Sequence, residues 1–131
     1  MGVFSNIEIA LNTRLATLSN LPAVAWPNME FVPKENVLFL KPTLMPVGSS
    51  LNQLNGIELH KGIYQVSVYV PLEKGILVVN NLLDSIKSLF SSNKTLTATD
   101  TVFIQEVSAG KAQRQESWYV GFVEIHYLCY S

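Results

Sequence analysis

The sequence predicts an α+β domain, a mostly antiparallel sheet with two helices packed on one face. Three observations predict it. Two segments carry apolar residues at helical spacing, and the remaining patterned segments alternate at strand spacing. The alternating segments also follow one another as hairpins more than as strand–helix–strand crossovers. At 131 residues the chain makes one domain, residues 1–131, large enough to bury a real core.

The first helix is SNIEIALNTRLATL, residues 5–18. Ser5 with Glu8 three residues on has capping-box spacing, and Ile7, Leu11, Leu15 and Leu18 form the apolar stripe. Leu21-Pro22 ends it. AVAWPNMEF (23–31) reads as extended, and VLFLKPTLMP (37–46) as an apolar strand whose Pro42 assigns it to an edge or a bulge. VGSSLNQLNGIEL (47–59), rich in Gly, Ser and Asn, reads as a long connection, and such connections tend to be functional or disordered.

HKGIYQVSVYVPLEKG (60–75) is the most patterned stretch. Tyr64, Val66, Val68 and Val70 share one face of a strand, while Ile63, Gln65, Ser67 and Tyr69 make a mixed second face. Pro71 ends the strand and Gly75 opens the second helix, ILVVNNLLDSIKSLF (76–90), whose stripe is Ile76, Val79, Leu83, Ile86 and Phe90, widened by Leu82 and Leu89. KTLTATDTVFIQEVSAG (94–110) reads as a hairpin turning near Thr99-Asp100, and GKAQRQES (110–117) as a polar loop. In the final strand, WYVGFVEIHYLCY (118–130), Tyr119, Val123, Ile125, Tyr127 and Cys129 face one way. Trp118, Val120, Phe122, Glu124, His126 and Leu128 face the other, and two largely apolar faces suit a central strand covered on both sides.

Composition narrows function. Charged residues are 15% of the chain and hydrophobic residues 48%, against about 25% charged in ordinary soluble domains. Either another protein covers part of the surface, or Ser, Thr, Asn and Gln make it polar. A formal net charge of −1 lacks the basic excess of a nucleic-acid module. The lone Cys129 excludes an intramolecular disulfide and a cysteine-based zinc site, fits a small buried thiol, and points to a reducing interior. The N-terminus has no signal-peptide pattern, and no apolar run approaches bilayer-spanning length.

Motifs for chemistry are lacking. His60 and His126 have no His-x-His or His-x-x-x-His companion, so no metal site is expected. The serines lack a nucleophile elbow, and the glycines form neither a dinucleotide nor a phosphate loop, so no cofactor is expected. Glu124 and His126, two apart on one strand face, are the one candidate acid–base pair. Their neighbours Trp118, Phe122 and Leu128 favour a sheet or interface position for them. The patterning is that of a protein whose product is an assembled surface, not an enzyme.

ALNTRLATL (10–18), LPAVAWPNMEFVP (21–33), LFLKPTLMP (38–46), HKGIYQVSVYVPLEKG and the late Trp118-Tyr119 occur in an order and spacing that covers most of the chain. Together they resemble a family of small phage tail-completion proteins, the U-like tail terminators of long-tailed phages. The resemblance implies a sheet with helices on one side and a virion protein assembled in the host cytoplasm. It implies a hexameric ring at the head-proximal end of the tail tube that halts polymerisation and docks the head–tail connector. The implied partners are further copies of the chain, the tail tube protein and a connector or stopper protein; no membrane and no specific nucleic acid is among them. The 47–59 segment departs from the family pattern in being poor in charge.

A closed ring uses two different patches on each subunit. The polar loops supply the candidate contact residues: Asn52, Gln53 and Asn55 from one, Lys111, Gln113, Arg114, Gln115 and Glu116 from the other. The second faces of 63–70 and 118–128 are the apolar candidates. Two other functions stay open on sequence grounds: another neck protein, such as a head-completion or stopper subunit, and a small enzyme or ligand-binding domain built on Glu124 and His126.

Overall fold

The computed structural model describes residues 3–19, 21–26, 29–33, 37–52, 57–72, 76–91, 95–97, 101–115 and 118–130. In chain order the elements are α1 (Val3–Ala16), β1 (Ala23–Val24), β2 (Phe39–Asn52), β3 (Ile57–Pro71), α2 (Ile76–Ser91), β4 (Thr95–Thr97), β5 (Thr101–Gln115) and β6 (Trp118–Tyr130). The strands form one six-stranded sheet in the order β1-β2-β3-β6-β5-β4. Only β1–β2 is parallel; every other pair is antiparallel. The fold is α+β, as the patterning predicts, and among the described residues no helix is long and apolar enough to cross a membrane.

Both helices lie on one face. The alternation in β3 aims Tyr64, Val66, Val68 and Val70 under them, all fully buried, and Val123, Ile125, Tyr127 and Cys129 of β6 stand beside that row. From above, α2 inserts Val79, Leu83, Ile86 and Phe90, and α1 adds Ile7, Leu11 and Leu15. Each such side chain taken fully out of water contributes about 1.5–3 kcal/mol, so this layer dominates the driving force. Gly121 lets α2 come close: it lies opposite Val68, and a Cβ there would stand 2.9 Å from Leu83 Cδ1.

Several sequence expectations are corrected. The first helix starts at Val3, so Ser5 sits inside its first turn and not at its cap. It ends in a tightened turn: the amides of Thr17 and Leu18 donate to the carbonyls of Arg14 and Leu15, both at 3.1 Å. Thr17 Oγ1 adds a donor to Arg14 O at 2.6 Å, which satisfies a terminal carbonyl. Within the 23–31 segment, read as extended, Ala23–Val24 forms strand β1, and residues 27–28 lie outside the described residues. Residues 47–52 and 57–59 are not a connection but the outer ends of β2 and β3, and the polar 110–115 segment is the outer end of β5. Backbone pairing with one neighbour suffices there whatever the side chains, and bulges after Pro46 and Gly110 absorb the irregular residues. β6 is covered on one face only; its second face is half-exposed. The expected turn at Thr99-Asp100 and the helix start at Gly75 lie outside the described residues.

Two polar contacts tie the helices to each other and to the sheet. α2 has no basic residue in its last turn. Arg14 of α1 fills that role, its guanidinium donating to the Leu89 carbonyl from Nε at 3.2 Å and Nη2 at 2.9 Å. A cation at a helix C-terminus meets both an orphan carbonyl and the negative end of the dipole. The Tyr64 hydroxyl, deep in the core, donates to Asn12 Oδ1 of α1. Burial raises the Tyr64 pKa strongly, with the Glu8 carboxylate adding to it. Burial likewise pushes Tyr127, whose hydroxyl has no hydrogen-bond partner among the described residues, up to about 12.

Arg14→Met removes a charged donor from the C-terminal end of α2 and is expected to lower unfolding stability by about 1.5–3 kcal/mol by urea titration. Alkali is the second test. Both tyrosines hold their protons more tightly folded than unfolded, so their contribution is intact below pH 10 and falls as the pH rises toward and past 12. Loss of structure by circular dichroism is expected to coincide with phenolate absorbance from these two residues.

Candidate assembly interface

With both helices on one face, the opposite sheet face is open, and its composition changes along the strands. At the end where β2 begins, Phe39 is buried among aromatic rings. It stacks on Tyr69 at 4.6 Å between centroids, meets Trp118 edge-on at 5.2 Å, and takes Phe31 at 5.0 Å. Phe31 comes from the segment before β2, so the chain wraps from the helix side to the open side at this corner. Next along the face, Phe122 lies over Gly110, where a Cβ would come within 2.0 Å of its ring.

The middle of the face is polar: Lys41 and Thr43 on β2, Gln65 and Ser67 on β3, Glu124 and His126 on β6, and Glu106 and Ser108 on β5. Past this belt the face turns apolar again. Ile63 and Leu128 are half-buried there, and Met45, Phe103 and Tyr130 are exposed. Phe103 and Tyr130 meet in an edge-on contact at 6.3 Å. The open face is thus two apolar ends joined by a polar belt.

Glu124 and His126 do approach each other, with Oε2 to Nε2 at 3.6 Å, and both are about one-third exposed. They sit on the open face of the sheet. The described grooves lie elsewhere: one of about 350 Å³ runs between the exit of α1 and the outer side of α2, lined by residues such as Pro22, Leu38, Val78 and Leu82. Among the described residues no group of three or more His, Cys, Asp or Glu could hold a metal ion. His60 is buried on the core face, opposite Cys129.

The candidate contact residues do not form one patch. Asn52 is the last residue of β2, paired with Ile57. Lys111, Gln113, Arg114 and Gln115 lie on the outer end of β5, with Gln113 opposite Val120 and Gln115 opposite Trp118. Gln53, Asn55 and Glu116 lie outside the described residues. The register runs from Leu59–Tyr130 at one end to Pro71–Trp118 at the other. Twelve residue steps at ~3.3 Å each put the two sets about 40 Å apart, at opposite ends of the strands.

The flanks of the sheet also carry exposed groups that sequence reasoning missed. β1 pairs with β2 only at Phe39 and Leu40, so β2 from Lys41 to Asn52 has no outer strand partner among the described residues, although Ala25, Trp26 and Met29 line a groove with Lys41–Leu44. β4 pairs with β5 only from Thr101 to Phe103, so β5 from Ile104 to Gln115 is likewise bare. The bare part of β2 bears Met45 and the bulge residue Val47, which is 70% exposed. Pro42 and Pro46 gave the available signal, since prolines in a strand mark an edge.

The comparisons with known proteins come to bear on this geometry. A family model described as phage tail terminator protein matches residues 6–127. Fourteen solved chains match in structure. One of them superposes with a TM-score of 0.72 at 21% identity, covering 97% of this chain and 92% of its own length, which shows a shared fold. No curated protein matches the sequence.

Phe39 and His126 separate structural from incidental roles on the open face. Phe39→Ala is expected to cost about 3–5 kcal/mol in thermal or urea unfolding, as for a buried aromatic. His126→Ala is expected to stay within about 0.5 kcal/mol, as for an exposed ion pair.

Proposed function

The chain belongs to the phage tail terminator family, structural proteins of the virion tail, and from that premise we propose that it caps the tail tube. Several copies close into a ring, six by the family resemblance, on the head-proximal end of the tube of a long-tailed phage. The ring stops addition of tube subunits and offers its far side to the head–tail connector or stopper protein. Its partners are copies of itself, the tube protein and the connector, and it takes its place after assembly in the host cytoplasm.

The observation that carries this reading is the family match over residues 6–127. The shape supports it. The ends of the β2–β3 and β5–β6 hairpins lie at opposite ends of one sheet, about 40 Å apart by register. A subunit standing with its strands along the ring axis turns one hairpin end toward the tube and the other toward the connector. Asn52 at one end and Lys111, Gln113, Arg114 and Gln115 at the other contribute axial contacts in this arrangement, and Gln53, Asn55 and Glu116, outside the described residues, are proposed to join them. Glu124 and His126 have no catalytic part in it; they belong to the polar belt of an open sheet face.

The test is tail assembly with and without the protein, scored by electron microscopy for tube length. Overlong tubes in its absence are expected, restored to uniform length when it is added back. Tubes of normal length that fail to join heads would assign the protein to another position in the neck.

A further inference from the structure

The sheet is stepped, and the two steps are complementary. On one flank the short strand β1 pairs with β2 at Phe39 and Leu40, Ala25, Trp26 and Met29 lie beside Lys41–Leu44, and among the described residues β2 beyond that is bare. On the other flank β4 covers β5 at Thr101–Phe103 and leaves its remainder bare. Because β2 and β5 run in opposite directions, β1 and β4 stand at opposite ends of the sheet.

Register fixes the heights. Thr95 of β4 pairs with Phe103, Phe103 with Leu128, Leu128 with Lys61, and Lys61 with Gly48. Thr95 therefore stands level with the bare, bulged part of β2 at Val47 and Gly48. In the same way Ala23 of β1 pairs with Phe39, Phe39 with Tyr69, Tyr69 with Val120, and Val120 with Gln113. Ala23 stands level with the bare part of β5 at Gln113. Each short edge strand thus matches in height the gap on the opposite flank.

We propose that neighbouring copies dock flank to flank, the β4–β5 flank of one against the β1–β2 flank of the next, with β4 seated beside bare β2 and β1 beside bare β5. This rests on the ring reading above and names its subunit interface. A rotation about an axis along the strands moves no residue along that axis, so the height match within one chain becomes a contact between two. The flanks are different surfaces, as a closed ring requires. What stands along the β2 flank suits the contact: Met45 and Val47 are apolar and exposed. Pro42, Pro46 and the two β5 bulges keep the bare strands from pairing indiscriminately, which leaves the stepped fit to choose the partner.

The test uses two double-cysteine variants, Val47→Cys with Thr95→Cys and Ala23→Cys with Gln113→Cys, oxidised in assembled rings whose native mass is measured first. Val47, Thr95 and Ala23 are exposed, and the natural Cys129 is fully buried. Both double variants are expected to give a covalent ladder from dimer to full ring on a non-reducing gel, with the monomer band lost. The corresponding single variants and the unaltered protein are expected to stay monomeric there. Rings of full mass with no ladder, or a ladder from only one pair, overturn the flank docking while leaving the ring intact. A protein that keeps monomer mass in solution and on tubes overturns the ring and the docking together.

Discussion

Everything in this fold depends on one-sided burial. β3 and β6 place Tyr64, Val66, Val68, Val70, Val123, Ile125 and Tyr127 on a single face, and α2 and α1 close over it. The closest approach is at Gly121, where the absence of a side chain lets Leu83 and Val79 settle on the strand. Since both helices are committed to that face, none is left for the other. The same packing that makes the core leaves the second face half-exposed and, among the described residues, most of β2 and β5 without an outer strand partner. A single chain that spends its helices this way retains surface for other proteins, which fits a family of virion components.

The polar contacts reinforce this arrangement without replacing it. Arg14 reaches from α1 to the last turn of α2, and Tyr64 reaches from the sheet to Asn12, so the two helices are fixed relative to each other and to β3. In each contact a charged or hydroxyl donor reaches an acceptor on a neighbouring element. Their effect is on registry: they set where α1 lies, while the buried aliphatic stripe decides that it lies on this face at all.

Much of this was legible in the sequence. Period-2 alternation in 63–70 named the core face residue by residue and in 118–130 sorted the residues into two faces without telling which is covered, and the 3.6-residue stripes named both helix faces, because burial acts directly on those patterns. The outer strand ends were not legible. Residues 47–52 and 110–115 carry Gly, Ser, Asn, Gln and charge, which read as loops, yet pairing with one neighbour holds them as strand. A strand held by backbone bonds alone leaves no hydrophobic period to detect. The candidate interface suffered for the same reason. Sequence reasoning found Asn52 and Lys111–Gln115 as polar segments, but their separation to opposite ends of the sheet is a matter of register, invisible in composition. Phe31 packing onto Phe39 across the corner was equally hidden, since no local spacing connects them.

The central claim is that the helix-covered face makes the subunit and the bare flanks make the assembly. Hydrogen exchange on the isolated chain and on tail-bound protein tests it most directly, because it reads each strand separately. The amides of 41–52 and 104–115 are expected to gain protection on assembly, while those of β3 and β6, already paired on both sides, change little. Unchanged exchange along both flanks, with new protection confined to the outer surfaces of α1 and α2, would contradict it.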